Sequence, residues 1–394
     1  MTDNARRPPA PLRTDGSNAF ARHSMAVRVP SIIVETIERN PDYPPAIADG
    51  LKRLRDEITG DRPLRLFHAP APDFDLWAPR FTPHQDETWL DTGWFFAEML
   101  SYRLLMEAAR YRTTLRDPFA PFKQEELASD ALWALLDEAV AFRGPVEERL
   151  AAALRRTLWG NRIDLSIASV AEKGTAASDE HLLTDHTDAA VRGLMDGGGG
   201  AVHVIMDNAG TEEAMDLVLA DLLLETGAAS KVLLHVKTLP VLVSDVTTAD
   251  LHLMLDAMAA RGAGAARLAA RLRVAASGGR LRIVPDAFWN TDGRLGELPP
   301  RLEKAFERAA LVIGKGDVNY RRATDDAVWP LATTLEEAVG TFPAPLLLLR
   351  TLKSDTLVEV PAERAAELDA AEPDWRTNGT YGVVQVAFGA AALR

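Results

Sequence analysis

Two hydrophobic periodicities divide the chain. From Ser31 to about Arg156, apolar residues recur at three- and four-residue spacing in IIVETIERN, ADGLKRLRDEI, LWALLDEAVAF and RLAAALRRTLW, and along the whole of WFFAEMLSYRLLMEAARY from Trp94 to Tyr111. That spacing marks one face of a helix, and nothing in this half alternates as a half-buried strand does. Pro30 suits the first turn of its helix, where a missing N–H is harmless. From Ala201 the pattern changes. Short apolar runs predict strands at 202–206, 231–236, 281–284, 311–313, 346–349 and 382–387, with helical patterns at 211–226, 249–261 and 299–309 between several of them. Such alternation predicts an α/β fold, a mostly parallel sheet with helices on both faces, the last strand forming an antiparallel edge. Residues 1–22 carry prolines and arginines with little to bury and read as a mobile tail. The expected organisation is a mainly helical domain over 23–195 and an α/β domain over 196–394. The change falls between about 160 and 200, where a turn at Trp159-Gly160-Asn161 and the run Gly197–Gly200 interrupt the periodicity.

Composition narrows the function. A chain of 394 residues is long enough for two cores, and 47% hydrophobic with 26% charged residues is ordinary for a globular protein. No apolar run is long enough to span a bilayer, and the N-terminus lacks the apolar core of a secretory signal, so cytoplasm is the simplest compartment. The absence of cysteine excludes disulfides, thiolate metal sites and cysteine nucleophiles. A net charge of −13 argues against nucleic acid as partner. It still allows a small phosphorylated metabolite, provided a metal ion and a few basic side chains reverse the field locally. There is no G-x-S-x-G, no Walker A and no G-x-G-x-x-G after a strand, which counts against serine hydrolases, P-loop enzymes and dinucleotide oxidoreductases. The eight histidines include no H-E-x-x-H pair, and His203 and His235, inside strand candidates, read as packed core residues.

The polar residues gather at strand ends. The run Val202–Met206 leads into Asp207-Asn208-Ala209-Gly210 and then a helix closed by Gly227. The next strand leads to Ser244-Asp245-Val246-Thr247, another to Gly314-Lys315-Gly316-Asp317-Val318-Asn319-Tyr320-Arg321, and another to Arg350 and Lys353. In a parallel sheet these ends share one rim, where ligands bind. Asp207 and Asp245 supply two anionic oxygens and Asn208 a neutral one, a set suited to Mg²⁺ or Mn²⁺ and poorly to zinc. Lys353 can meet a phosphate as a point charge, and Asn319 with the backbone at 314–317 can donate to phosphate oxygens. The plainer alternatives are that Asp207, Asn208 or Asp245 caps a helix, that 314–316 is only a loop, and that Lys353 is a surface lysine. Convergence of four such groups on one rim favours a site, and hydrolysis of a phosphate ester through metal-activated water is its natural chemistry.

DNAGTE at 207–212, KTLPVLVSDVT at 237–247, GKGDVNYR at 314–321 and RTLK at 350–353 resemble the signatures of the metal-dependent damage-control phosphatases, more narrowly their subfamily III with its Arg-Thr-x-Lys motif. SMAVRVPSII at 24–33, DPFAPFK at 117–123 and LWGNRIDLS at 158–166 extend the resemblance to nearly the whole chain. It implies a helical N-terminal domain beside an α/β/α Rossmann-like domain, and a divalent metal (Mn²⁺ or Mg²⁺, with Co²⁺ and Ni²⁺ as further candidates) on Asp207, Asn208 and Asp245. Asp317, Asn319, Arg321 and Lys353 are implied to hold the substrate, with Glu212 lining the site and Glu98 reaching it from the helical domain. It further implies sugar phosphates such as fructose 1-phosphate as substrates, removed as damaging metabolites. Two rival expectations are an S-adenosylmethionine-dependent protein carboxyl methyltransferase, with Glu212 at the cofactor, and a non-catalytic sugar-phosphate sensor.

Overall fold

In a computed structural model the chain is described over residues 8–160 and 180–388; the expected turn beyond Gly160 and most of LWGNRIDLS lie outside these residues. Seven strands form one sheet: β1 Leu182–Asp185, β2 Ala201–Ile205, β3 Lys231–Val236, β4 Leu281–Pro285, β5 Ala309–Lys315, β6 Leu346–Thr351 and β7 Gly382–Ala387. Their order is β1-β7-β6-β5-β2-β3-β4. All neighbours are parallel except β6 and β7. The central strands are buried on both faces, which explains their continuous apolar runs. β7 is antiparallel as expected but is not the edge. The four-residue β1, in a stretch read as helical pieces, pairs outside it.

One face of the sheet packs on helices Asp130–Ala141, Val146–Trp159, Thr187–Asp196, Thr211–Thr226, Thr248–Ala259 and Ala263–Ser277 through Leu136, Leu154, Leu194, Leu219, Met254 and Leu272. The other packs on Pro300–Phe306, Gly316–Ala323, Leu335–Val339 and Ala362–Ala371 through Phe306, Tyr320, Leu335 and Leu368. These are the three layers of an α/β/α fold. Three of the helices expected in the helical domain, at 130–141, 146–159 and 187–196, thus belong to the core of the sheet.

A separate apolar core gathers residues 12–119 around helix Trp94–Ala108, whose residues Trp94 to Met106 are all buried, and it also takes in Leu239, Val241 and Val318. A helix enclosed on all sides loses amphipathic contrast. Residues 8–22 do not behave as the mobile tail expected of them. Leu12 is buried and its N–H donates to Asp326 O at 2.8 Å, Thr14 pairs with Thr92, and helix Ala19–His23 is capped by Asn18. The chain there closes polar partners and apolar contacts that lie far away in sequence.

Candidate active site

The chain runs from β2 to β3 and β4 on one side, then returns to β5 on the other side of β2. Strand order reverses between β2 and β5, so the crevice past their carboxyl ends is the expected ligand position. Asp207 lies just beyond β2 and Gly316 just beyond β5. A Cβ on Gly316 would stand 1.9 Å from Asp207 Oδ2, and its φ is +75°. Only glycine allows that approach.

Helix Thr211–Thr226 is capped at Gly210, with φ +85°, whose N–H donates to Glu213 Oε2 at 3.2 Å. Neither Asp207 nor Asn208 is the cap. After β3 the chain turns back so that Asn208 and Asp245 face each other as an antiparallel bridge. Ala209 N–H donates to Ser244 O at 2.7 Å and Val246 N–H to Asp207 O at 2.8 Å. The return passes through Leu242 and Val243 at φ 51° and 70°, a left-handed pair that side chains adopt at a cost. The following helix, Thr248–Ala259, is capped by Thr247 with Asp250. Asp245 is therefore not a cap; it pairs with Lys237 Nζ at 2.8 Å.

The expected carboxylates come together in a dry setting, with Asp207 6%, Glu212 3% and Asp245 1% exposed. Burial first, then the charges of Glu212 and Asp245, push the Asp207 carboxyl well above the usual range, while Lys237 and Lys353 pull it back. Burial raises Asp245 as well, opposed by Lys237. Asn208 bridges this set: its amide nitrogen donates to Asp207 Oδ2 at 2.8 Å and Glu212 Oε2 at 2.9 Å, and its oxygen accepts from Ser244 Oγ at 2.5 Å. Lys315, fully buried at the end of β5, holds Glu212 at 2.6 Å and Asp216 at 3.0 Å.

Residues 314–316 are not the loop considered above: 314 and 315 end β5 and a helix spans 316–323. Burial pushes Asp317 up, but the Arg350 and Arg321 guanidiniums together hold its carboxyl below the usual range. Asp317 Oδ1 accepts from Arg350 Nε at 2.8 Å, Ser354 Oγ at 3.0 Å and the Lys353 N–H at 3.2 Å. It anchors the lysine-bearing loop. Lys353 is half-buried, and its charge acts on Asp207. Asn319 differs from its expected role as a donor. Its NH₂ is committed to Lys315 O at 2.7 Å and Ile205 O at 3.3 Å, and its buried oxygen has no hydrogen-bond partner among the described residues. Arg321 lies 3.6 Å over the Trp94 ring and binds Glu98 Oε2 and Asp326 Oδ1, both at 2.6 Å, leaving Nη2 without a hydrogen-bond partner among the described residues. Glu98 does arrive from the helical layer, buried against Arg321 and Arg28.

Sequence reading missed Lys237 and Lys315. The available signal was a lysine ending an apolar strand, at HV-K and VIG-K, where a buried ammonium needs carboxylate partners. Among the described residues no three His, Cys, Asp or Glu side chains form a metal-binding group by themselves; the candidate donor set is two carboxylates and a carboxamide.

A family model described as the damage-control phosphatase ARMT1-like domain matches residues 25–368. Similar proteins named damage-control phosphatase ARMT1 include those of Danio rerio, 29% identical over 96% of this chain and 97% of the relative, and of Xenopus laevis, 28% identical over 96% and 99%. The Homo sapiens protein of that name is 24% identical over 96% and 98%. Among solved structures, a DUF89 family protein from Pyrococcus horikoshii shares the fold, with a TM-score of 0.51, 15% identity and coverage of 92% and 97%. The chain belongs to the damage-control phosphatase ARMT1-like family, and so to the phosphatases.

Proposed function

We propose that this protein hydrolyses the phosphate monoester of a small sugar phosphate of the fructose 1-phosphate kind, with a divalent cation such as Mn²⁺ or Mg²⁺ held by Asp207, Asn208 and Asp245. The observation that carries the reading is the crowding of Asp207 by Glu212 and Asp245 in a water-poor crevice, with the charge of Lys353 also acting on it. Carboxylates so placed fit a cation, because each is otherwise driven toward its neutral form. The donor set is hard oxygen, as Mg²⁺ and Mn²⁺ prefer. The Asn208 NH₂ now lies between Asp207 and Glu212. Turned over, the amide offers its oxygen there instead.

When bound, the cation supplies Lewis-acid polarisation of the phosphoryl group. The remaining roles belong to the chain. Lys237 holds the Asp245 carboxylate, and Lys315 holds Glu212. Lys353, its loop fixed by Asp317, offsets charge on the phosphoryl oxygens. Arg321 Nη2 is a buried donor still to be satisfied and Asn319 Oδ1 a buried acceptor, suited to an ester oxygen and a sugar hydroxyl respectively.

The test is phosphate release from fructose 1-phosphate and p-nitrophenyl phosphate with and without Mn²⁺. The reading expects metal-dependent turnover by the wild type and its loss in Asp207→Ala; equal rates in the two proteins would end it.

A further inference from the structure

The motif Asp117-Pro118-Phe119-Ala120-Pro121-Phe122-Lys123 takes no part in the chemistry above. Yet the helix that it opens, Ala120–Leu127, reaches both acid-bearing turns. Lys123 Nζ, on a buried side chain, donates to Asp245 O at 3.1 Å, Asp250 Oδ2 at 2.8 Å and Asp117 Oδ2 at 3.0 Å. An ammonium has three protons, and all three are committed. Asp250 in turn accepts from Thr247 N–H at 2.8 Å and Thr247 Oγ1 at 2.7 Å. Lys123 therefore ties the Asp245 carbonyl to the helix cap two residues downstream.

Glu126 stands at i+3 from Lys123, on the same face of the helix. Its Oε1 accepts from Thr211 N–H at 2.8 Å, at the start of the helix that follows Asp207 and Asn208. A Cβ on Gly210 would lie 2.3 Å from Glu126 Cδ, so the glycine is what admits this carboxylate. An acid at a helix N-terminus is favourable in its own right. The clamping helix is itself anchored from the other side. Phe119 is buried, its N–H donates to Asp117 Oδ1 at 2.8 Å, and Asn40 Nδ2 donates to Pro118 O at 2.9 Å.

We infer that helix Ala120–Leu127 is a clamp that sets the spacing between Asp207 and Asp245, with Lys123 and Glu126 as positioning residues for the cation-binding set. The role rests on the functional reading above for its purpose but not for its mechanics. Two turns from different strand ends meet through the short Asn208–Asp245 bridge, the Ser244–Asn208 side-chain bond and Lys237. A third element gripping both removes their freedom to part. Supports of this kind typically alter metal affinity about 10–100-fold when removed.

The experiment uses the full chain, with Mn²⁺ binding followed by electron paramagnetic resonance and amide hydrogen exchange followed in metal-free protein. Glu126→Ala is expected to weaken Mn²⁺ binding at least about tenfold and to speed exchange at 207–213 with the rest of the sheet unchanged. Glu126→Gln keeps an acceptor for Thr211 N–H and should recover most of the loss. Lys123→Met should do the same to 244–250; if it fails to fold, the Glu126 pair decides. Leu127→Ala, which removes only apolar packing from the same helix, should lower Tm and leave Mn²⁺ affinity unchanged. Wild-type affinity and exchange in Glu126→Ala, or affinity falling in step with Tm across all variants, would overturn the clamp. A wild type that binds no Mn²⁺ sinks the functional reading instead, and local exchange at 207–213 then decides the clamp alone.

Discussion

Gly316 shows how closely the site is drawn together. Its Cα faces the Asp207 carboxylate with no room for a methyl group, at a φ that favours glycine. Gly316→Ala should lower kcat/KM about 100-fold, the scale of a roughly 1 Å displacement at a reacting centre, as measured by phosphate release. Lys237 makes a second residue-scale case. It is 1% exposed and holds both the Asp245 carboxylate and Met206 O, each at 2.8 Å. Lys237→Met leaves a buried carboxylate without its cation and should cost about 3–5 kcal/mol, measurable by denaturant unfolding of metal-free protein. For Lys237 the sequence offered only the signal of a lysine ending an apolar strand. For Gly316 it offered none, because the constraint comes from the tertiary approach of Asp207.

Among the elements, β2 and β3 carry a buried histidine pair that makes stability depend on pH. His203 Nδ1 lies 2.8 Å from His235 Nε2, and both rings pack against Phe306. Burial lowers His203 to about 4. Burial, with some help from His203, lowers His235 to about 3. Both folded values lie below that of an unfolded histidine, so the unfolded chain binds more protons between them. Stability should therefore be full above about pH 6.5 and fall as pH drops from there toward 4, by up to about 1.4 kcal/mol per pH unit for each histidine. A double His203→Phe, His235→Phe variant should show a flatter profile in urea unfolding over this range; an unchanged slope would count against the assignment. The sequence reading of both as packed core histidines agrees with this arrangement. Their contact does not follow from strand spacing, because it depends on a register that pairs Ile205 with His235.

Across the whole molecule, the helical core and the sheet are joined by residues far apart in sequence. Leu239 and Val241, in the chain after β3, and Val318, in helix Gly316–Ala323, are packed into the helical core. Glu98 crosses to Arg321, and Asn18 Nδ2 donates to Asp355 Oδ2 at 2.7 Å, two residues past Lys353. The N-terminal segment thus fastens the lysine-bearing loop to the helical layer. Removing residues 1–18 exposes the Leu12 site and breaks the Leu12–Asp326, Thr14–Thr92 and Asn18–Asp355 bonds. It should lower Tm by several degrees, read by calorimetry. It should also raise KM for fructose 1-phosphate, the substrate proposed above, through the loosened Lys353 loop.

Local pattern settled much of this molecule. Five central strands, β2, β3, β5, β6 and β7, are fully or mostly buried, and their apolar runs stood out because no polar face interrupts them. Asp207 and Asn208 stood out as candidates because they directly follow such a run, and chain direction alone places the ends of parallel strands on one rim; Asp245, well past the end of β3, is brought beside them by the turn at Leu242 and Val243. Tertiary structure decided the rest. β1 is four residues long and exists as a strand by pairing with β7. The helices at 130–159 have periodicity compatible with either core, and only packing assigns them to the sheet. Leu12 gives no helical or strand signal, yet it is buried by partners more than 80 residues away, among them Trp94 and Asp326. Periodicity reports how a residue relates to its neighbours along the chain; which lysine neutralises which carboxylate is set by contacts between distant segments, and those form only when the chain closes on itself.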